Sequence, residues 1–266
     1  MIESDAKMVC LDVDGTLVDH DGHMSPRVRE AAQAVIARGH YVMIATGRSL
    51  GATLPVIENI GLTDGFSVCS NGGVTLQLGS EFDRGYQVID RQTFDPAPVL
   101  GQVKRRIPSA KFAIETESGA FLSTERFQDF SFGVRARGVS FQELCEATAV
   151  RLVVFSQDSS VEEFGEAVES IGLTSVAYSV GYNAWLDVAA AGISKASGLE
   201  ALREKLGIDQ DQTVAVGDGY NDTEMLAWAQ RGVAMGQAPE RVKRIANEVT
   251  EHVNDDGLAL VLESLL

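Results

Sequence analysis

The 266-residue chain has little that would tie it to nucleic acid, to a membrane or to an oxidising compartment. Basic side chains are scarce, with 22 Lys and Arg against 38 Asp and Glu, and the formal charge is −16. Polyanions and anionic lipid surfaces are met by basic patches, so neither is expected as a partner. No apolar run approaches the roughly 20 residues that a membrane-spanning helix needs. The opening Met-Ile-Glu-Ser-Asp lacks the basic and then apolar pattern of a secretory leader. The three cysteines, Cys10, Cys69 and Cys145, are far apart and show no CxxC spacing. An odd set without a framework points to a reducing, cytoplasmic setting. The histidines His20, His23, His40 and His252 are scattered, so no His/Cys cluster for zinc is expected. Repeats and low-complexity segments are lacking too. What remains, 45% hydrophobic and 23% charged, is ordinary globular composition with room for one large or two modest domains.

The periodicity gives the organisation. Met8 to Val13 is a short apolar run that reads as a buried strand, bounded by a glycine turn. Ser25-Pro26 supplies an N-cap and first-turn proline for a helix carrying Val28, Ala31, Ala32, Val35 and Ile36, which Gly39 ends. Tyr41–Ala45 is a second strand, a helix runs to about Asn59, and Phe66–Cys69 is a third strand. Strand and helix alternating with short links is the rhythm of a parallel sheet. From about Gly72 to Tyr86 the pattern turns to hairpins. A helix from the Asp95–Pro98 segment to Ile107 follows, with strands near Lys111–Glu115, Ala120–Ser123 and Arg151–Phe155. Next come a helix near Val161–Ile171 and strands near Val176–Val180 and Trp185–Val188. The parallel rhythm resumes at Ser194, with a strand at Thr213–Val216, helices at Thr223–Ala229 and Pro239–Ala246, a strand at Gly232–Met235 and a closing helix at Gly257–Leu266. The expected architecture is α/β: a Rossmann-like parallel-sheet core formed by residues 1–82 and 189–266, interrupted by an inserted α+β module at 83–188.

Four polar clusters fall where strands end or helices begin, the edge at which open parallel sheets bind ligands. They are Asp12-Val13-Asp14-Gly15-Thr16, Thr46-Gly47-Arg48-Ser49, Lys195, and Gly217-Asp218-Gly219-Tyr220-Asn221-Asp222. Each alone has a plain reading as a turn, a cap or a surface charge. In a strand, residues two apart face the same side, so Asp12 and Asp14 can address one locus. Carboxylates buried there are costly unless something pairs with them. Phosphoryl transfer uses these groups: a nucleophile, a cation to offset oxyanion charge, donors around the phosphate and a proton donor for the leaving group. Asp12, Asp218 and Asp222 around one point would repel unless a cation lay between them, and Mg²⁺ suits such oxygen donors.

The four clusters, in order, resemble the motifs of the haloacid dehalogenase superfamily, and most of all its Cof-type phosphatases with a type IIB cap. The matching stretches are Asp12–Leu17, Ile44–Ser49, Gly192–Leu199 and Gly217–Leu226, with further likeness at Ser70–Gly73, Gly232–Gly236 and Asp256-Gly257. The likeness covers the whole core; the inserted module matches by position and rhythm. It implies Asp12 as a nucleophile forming an aspartyl-phosphate and Asp14 as the acid/base, with its backbone carbonyl on the metal. It implies Thr46 and the Gly47 N–H as phosphate donors, Lys195 as a charge on Asp12 and the phosphate, Asp218 as a direct Mg²⁺ ligand, and Asp222 as a ligand or a holder of the ion's waters. Asn221 and Asn71 become phosphate or boundary contacts. Ala196 follows the lysine where the family often has Gly. Arg48 reads either as a substrate contact or as the partner of an acidic neighbour, and Tyr182, Asn183 and Trp185 either line the cleft or pack as aromatic core.

The implied function is Mg²⁺-dependent hydrolysis of small phosphorylated metabolites, sugar phosphates favoured, with no nucleic-acid or membrane partner. Two rivals stand beside it: a phosphotransferase or mutase of similar build, and a phosphate-binding sensor without turnover. Substrate, pathway and oligomeric state are left open.

Overall fold

A computed structural model describes residues 6–124, 136–156, 158–180 and 184–266. Two sheets organise it. The larger has eight strands in the order Glu248–Val249, Arg231–Ala234, Thr213–Gly217, Met8–Leu11, Tyr41–Ala45, Gly65–Cys69, Val74–Leu78, Tyr86–Arg91. The first six run parallel and the last two return antiparallel. The Met8–Leu11 strand is wholly buried, and alternation sends its side chains to two different cores. Val9 and Leu11 join helices Pro26–Ala37, Leu50–Asn59 and Gly257–Glu263 on one face. Met8 and Cys10 join helices Lys195–Leu206, Thr223–Trp228 and Glu240–Lys243 on the other. Both faces being covered is why these strands read as continuous apolar runs.

The smaller sheet has six strands in the order Val176–Val180, Trp185–Ala190, Ala149–Phe155, Lys111–Thr116, Phe121–Ser123, Arg137–Gly138. Helices Ala97–Arg106 and Val161–Ile171 cover one of its faces through Val99, Leu100, Val103, Phe164 and Val168. The expected insertion of an α+β module into a parallel-sheet protein is what the chain forms.

Helix ends follow local chemistry. Ser25, Ser49 and Ser194 each accept a hydrogen bond from a first-turn N–H as N-caps, and Gly172 and Gly207 close helices in the left-handed conformation. Several expected limits move. The first strand ends at Leu11 rather than Val13, because the chain turns at Asp12–Gly15. The helix after Pro239 spans only Glu240–Lys243, and the last helix ends at Glu263. The strand Glu248–Val249 is too short to leave a periodic trace. Tyr86–Arg91 pairs with Val74–Leu78, so the larger sheet reaches past residue 82. Among the described residues no helix is long and apolar enough to cross a membrane.

Candidate active site

The carboxyl ends of three adjacent parallel strands bring the polar clusters together. Met8–Leu11 lies between Tyr41–Ala45 and Thr213–Gly217. Asp12 follows the first, Thr46 the second and Asp218 the third. The Asp12 N–H still donates to the Val216 carbonyl at 3.0 Å, which fixes the aspartate at the rim before the chain turns. Gly15 makes that turn with φ +78°, and a Cβ there would collide with the Asp218 carboxylate. Asp12 and Asp218 are about 5% and 4% exposed, and Lys195 and Asp222 are fully buried.

Lys195 begins its helix and reaches between two acids. Its Nζ donates to Asp12 Oδ1 at 2.6 Å and to Asp222 Oδ1 at 2.6 Å. The other Asp222 oxygen accepts from the backbone N–H of Asp218 at 3.0 Å and of Gly219 at 2.8 Å. Burial alone would strip the proton from Lys195, but Asp12 and Asp222 hold its pKa above the ordinary lysine value. Burial, then the charge of Asp222, lifts the Asp12 carboxyl well above the usual carboxylate range, with Lys195 pulling the other way. Burial, then Asp222, pushes Asp218 up to about 7. One ammonium therefore does not satisfy three carboxylates. Oxygens of Asp12, Asp218 and Asp222 lie within 4.8 Å of one another, and this all-oxygen donor set fits a hard divalent cation.

Around this centre, Thr46 is buried and its Oγ1 accepts from the Arg48 N–H at 3.0 Å. Asn71, at φ 53°, donates its N–H to the Thr46 carbonyl at 3.0 Å, and its Oδ1 accepts from Asn221 Nδ2 at 3.0 Å. Gly47 packs beside both amides, with a Cβ there only 3.1 Å from Asn71 Oδ1. The chain thus brings together Asp12, Thr46, Gly47, Asn71, Lys195, Asp218, Asn221 and Asp222. Asp14 stands apart by its side chain: its carboxylate is exposed and forked by Arg48, with bonds of 3.0 and 2.6 Å. Arg48 is thereby the partner of an acidic neighbour. Tyr182 and Asn183 lie outside the described residues, and the Trp185 ring packs 6.0 Å from Phe155 while its Nε1 donates to Asp187. His23 stands with Asp19 and Asp21 at a largely exposed turn that follows the Asp12–Thr16 cluster in the chain, apart from the buried group of Asp12, Asp218 and Asp222.

Gln237 was not singled out by sequence reasoning. Its Nε2 donates to the Gly15 carbonyl and to Asp218 Oδ2, and its Oε1 accepts from the Val253 N–H at 3.0 Å. Its position just after the Gly232–Gly236 stretch was the available signal. A cavity of about 590 Å³ opens from Lys195, Asn71 and Asn221 towards the smaller sheet, where Arg151, Ser179 and Asp187 line it.

The profile of the haloacid dehalogenase-like hydrolases matches residues 9–262. The chain belongs to that family. Among curated relatives, Phosphatase YwpJ of Bacillus subtilis (strain 168) is 27% identical over 290 residues, covering 98% of this chain and 100% of its own. The 5-amino-6-(5-phospho-D-ribitylamino)uracil phosphatase YcsE of the same organism is 25% identical over 263 residues, covering 96% and 94%. Among solved structures, the subclass IIB sugar phosphatase BT4131 superposes with a TM-score of 0.82 at 26% identity, over 98% of this chain and 100% of that one.

Proposed function

We propose that this hydrolase is a Mg²⁺-dependent phosphatase acting on small phosphorylated metabolites, sugar phosphates favoured, through an aspartyl-phosphate on Asp12. The observation that carries the reading is the Lys195 ammonium clamped between Asp12 and Asp222 at 2.6 Å each, with Asp218 beside them at the rim of a parallel sheet. Lys195 occupies one Asp12 oxygen, which leaves the other for attack on phosphorus. Asp12, Asp218 and Asp222, with the Asp14 backbone carbonyl, would hold Mg²⁺. When bound, the ion would offset charge on the carboxylates and on the phosphate. The Thr46 hydroxyl and the Gly47 N–H would serve as oxyanion donors, with Asn71 and Asn221 packed against Gly47.

Asp14 serves as the acid/base that protonates the leaving alcohol and later takes a proton from the attacking water. Its fork with Arg48 has to open for that step. The inserted module that carries the smaller sheet, beginning after the core strand Tyr86–Arg91 and ending with Trp185–Ala190, acts as a lid on the core, excluding water while Asp12 attacks. A neutral leaving group of sugar type is supported by two relatives whose names carry a sugar phosphatase and a phosphorylated ribityl compound.

The test is a panel of phosphorylated metabolites assayed with Mg²⁺ and with EDTA, using the intact protein and Asp12→Asn. Release of phosphate that needs Mg²⁺ and disappears in Asp12→Asn is expected. Substantial turnover by Asp12→Asn would refute the covalent step. Turnover in heavy-oxygen water should put label into free phosphate; unlabelled product with a phosphorylated acceptor would instead favour a phosphotransferase.

A further inference from the structure

Among the described residues the helices of the smaller sheet cover one face, and the other carries polar groups with no part in the chemistry above. Strand alternation places Glu115, Arg151, Asp187 and Ser179 there, and the pairings Glu115↔Arg151 and Ser179↔Asp187 make them neighbours across four strands. Leu152, Val154, Leu186 and Val188 point the other way, into the apolar core under the helices. The Arg151 side chain is 3% exposed, and its Nε donates to Asp187 Oδ1 at 2.6 Å. Trp185 Nε1 donates to Asp187 Oδ2 at 2.8 Å. Glu115 is buried as well and accepts from Ser70 Oγ at 2.6 Å.

Apolar residues of similar volume are often as stable as a buried ion pair, or more so. Cross-strand neighbours on this same face, Ala113 and Val153, show that it accepts apolar side chains. A strip of this kind is explained when something polar has to be met. Arg151, Asp187 and Ser179 all line the cavity that ends at Lys195.

We propose that Arg151, Asp187 and Ser179 form a subsite that reads adjacent hydroxyls on an uncharged, polyhydroxylated leaving group. The proposal rests on the phosphatase reading and adds which part of the substrate is recognised and where. A vicinal diol presents donor and acceptor side by side. The guanidinium donates, the carboxylate accepts, and a serine hydroxyl does both. Each Asp187 oxygen keeps a second lone pair beyond the bonds from Arg151 and Trp185, and those bonds hold the group in place before a ligand arrives. Arg151 is already neutralised by Asp187, and Glu115 stands directly across from it. Arg91 also acts on Glu115 but does not line the cavity, so among the residues that do, the strip offers no unbalanced positive charge for a second phosphate or a carboxylate. Glu169 and Glu224 also line the cavity, against the single Arg241. A volume of about 590 Å³ admits a ligand of pentose or hexose size.

The experiment compares kcat/KM of the intact protein, Asp187→Asn and Ser179→Ala on three substrate types. These are hexose or pentitol monophosphates, the corresponding bisphosphates, and p-nitrophenyl phosphate, which offers no hydroxyls. Asp187→Asn should lower kcat/KM for the polyol monophosphates by roughly 10- to 100-fold, mainly through KM, and change p-nitrophenyl phosphate turnover by less than about 3-fold. It should also raise the ratio of bisphosphate to monophosphate turnover, because Arg151 loses its counter-charge. Ser179→Ala, which removes one hydroxyl and no charge, should show the same selectivity with a smaller loss. Equal losses on aryl and polyol phosphates would overturn the proposal and assign the strip to seating the lid. Unchanged polyol kinetics, or a native preference for bisphosphates, would overturn it too. If the intact protein hydrolyses none of the three, the phosphatase reading falls first and the subsite with it.

Discussion

Acidification should stabilise this protein when divalent cations are withheld. In the folded state Asp218 is pushed up from 3.8 to about 7, chiefly by burial and then by Asp222. A carboxyl whose folded pKa lies above its unfolded value binds more protons folded than unfolded, so its contribution to stability falls as pH rises from about 4 to about 7. Worked from that shift, moving from pH 7.5 down to 5.5 should return about 2 kcal/mol from Asp218 alone. Asp12, raised by burial and by Asp222, acts in the same direction. Glu200, held down at about 2 by its bonds from Arg203 and Trp228, keeps its charge in both states across this window and is silent there. The assay is thermal or chemical denaturation in EDTA at the two pH values, for the intact protein and Asp218→Asn. The difference between the two proteins isolates the site. At about 2–4 °C per kcal/mol, the intact protein should gain roughly 4–8 °C on acidification beyond any gain in the variant. Saturating Mg²⁺ should reverse the trend, adding about 2.7 kcal/mol at a hundred times its Kd near neutral pH and less in acid, where protons compete for the same oxygens. Identical slopes for both proteins in EDTA would refute the crowding of carboxylates on which the cation site rests.

Other perturbations probe the same centre. Lys195→Met leaves Asp12 and Asp222 buried without their ammonium, and denaturation at pH 7.5 should show a loss of about 3–5 kcal/mol; a loss under about 1 kcal/mol would contradict the clamp. Gly15→Ala places a methyl against the Asp218 carboxylate at a backbone angle that suits only glycine, so Mg²⁺ titration should show weaker binding while the far face of the sheet keeps its hydrogen-exchange protection. Arg48→Ala releases the Asp14 carboxylate from its fork and should change single-turnover rates, whereas unchanged rates would make the fork a surface contact only. Asp14→Asn should slow both formation and hydrolysis of the phosphorylated intermediate, and normal single-turnover rates would count against its role.

The centre was readable because its residues sit at ends of strands that the sequence marks by apolar runs and glycine turns. Asp12 and Asp218 lie one step beyond such a mark and Lys195 one step beyond a serine helix cap, and a parallel sheet converts those marks into one place. The Asp14–Arg48 fork was readable only as one of two options, since it depends on which way two side chains turn at an exposed rim. The polar strip of Glu115, Arg151 and Asp187 left no sequence trace. These residues come from three strands whose register is set by tertiary pairing, and each alone looks like a lone charge in an apolar run. The expected core boundary at residue 82 leaves out Tyr86–Arg91 for a related reason: hairpin alternation says that a strand pairs with its neighbour, not which sheet the pair joins.

The position of Met8–Leu11 also bears on how the polypeptide comes to life. This strand leaves the ribosome long before one of its two partners, Thr213–Gly217, is made. The smaller sheet and its own core are contiguous in the chain and complete themselves in the interval. Until translation passes Lys195, Asp12 has no ammonium to meet, and one flank of the central strand stays open to chance pairing. Synthesis that halts between that sheet and Thr213–Gly217 therefore yields a complete smaller sheet beside an incomplete cluster of carboxylates.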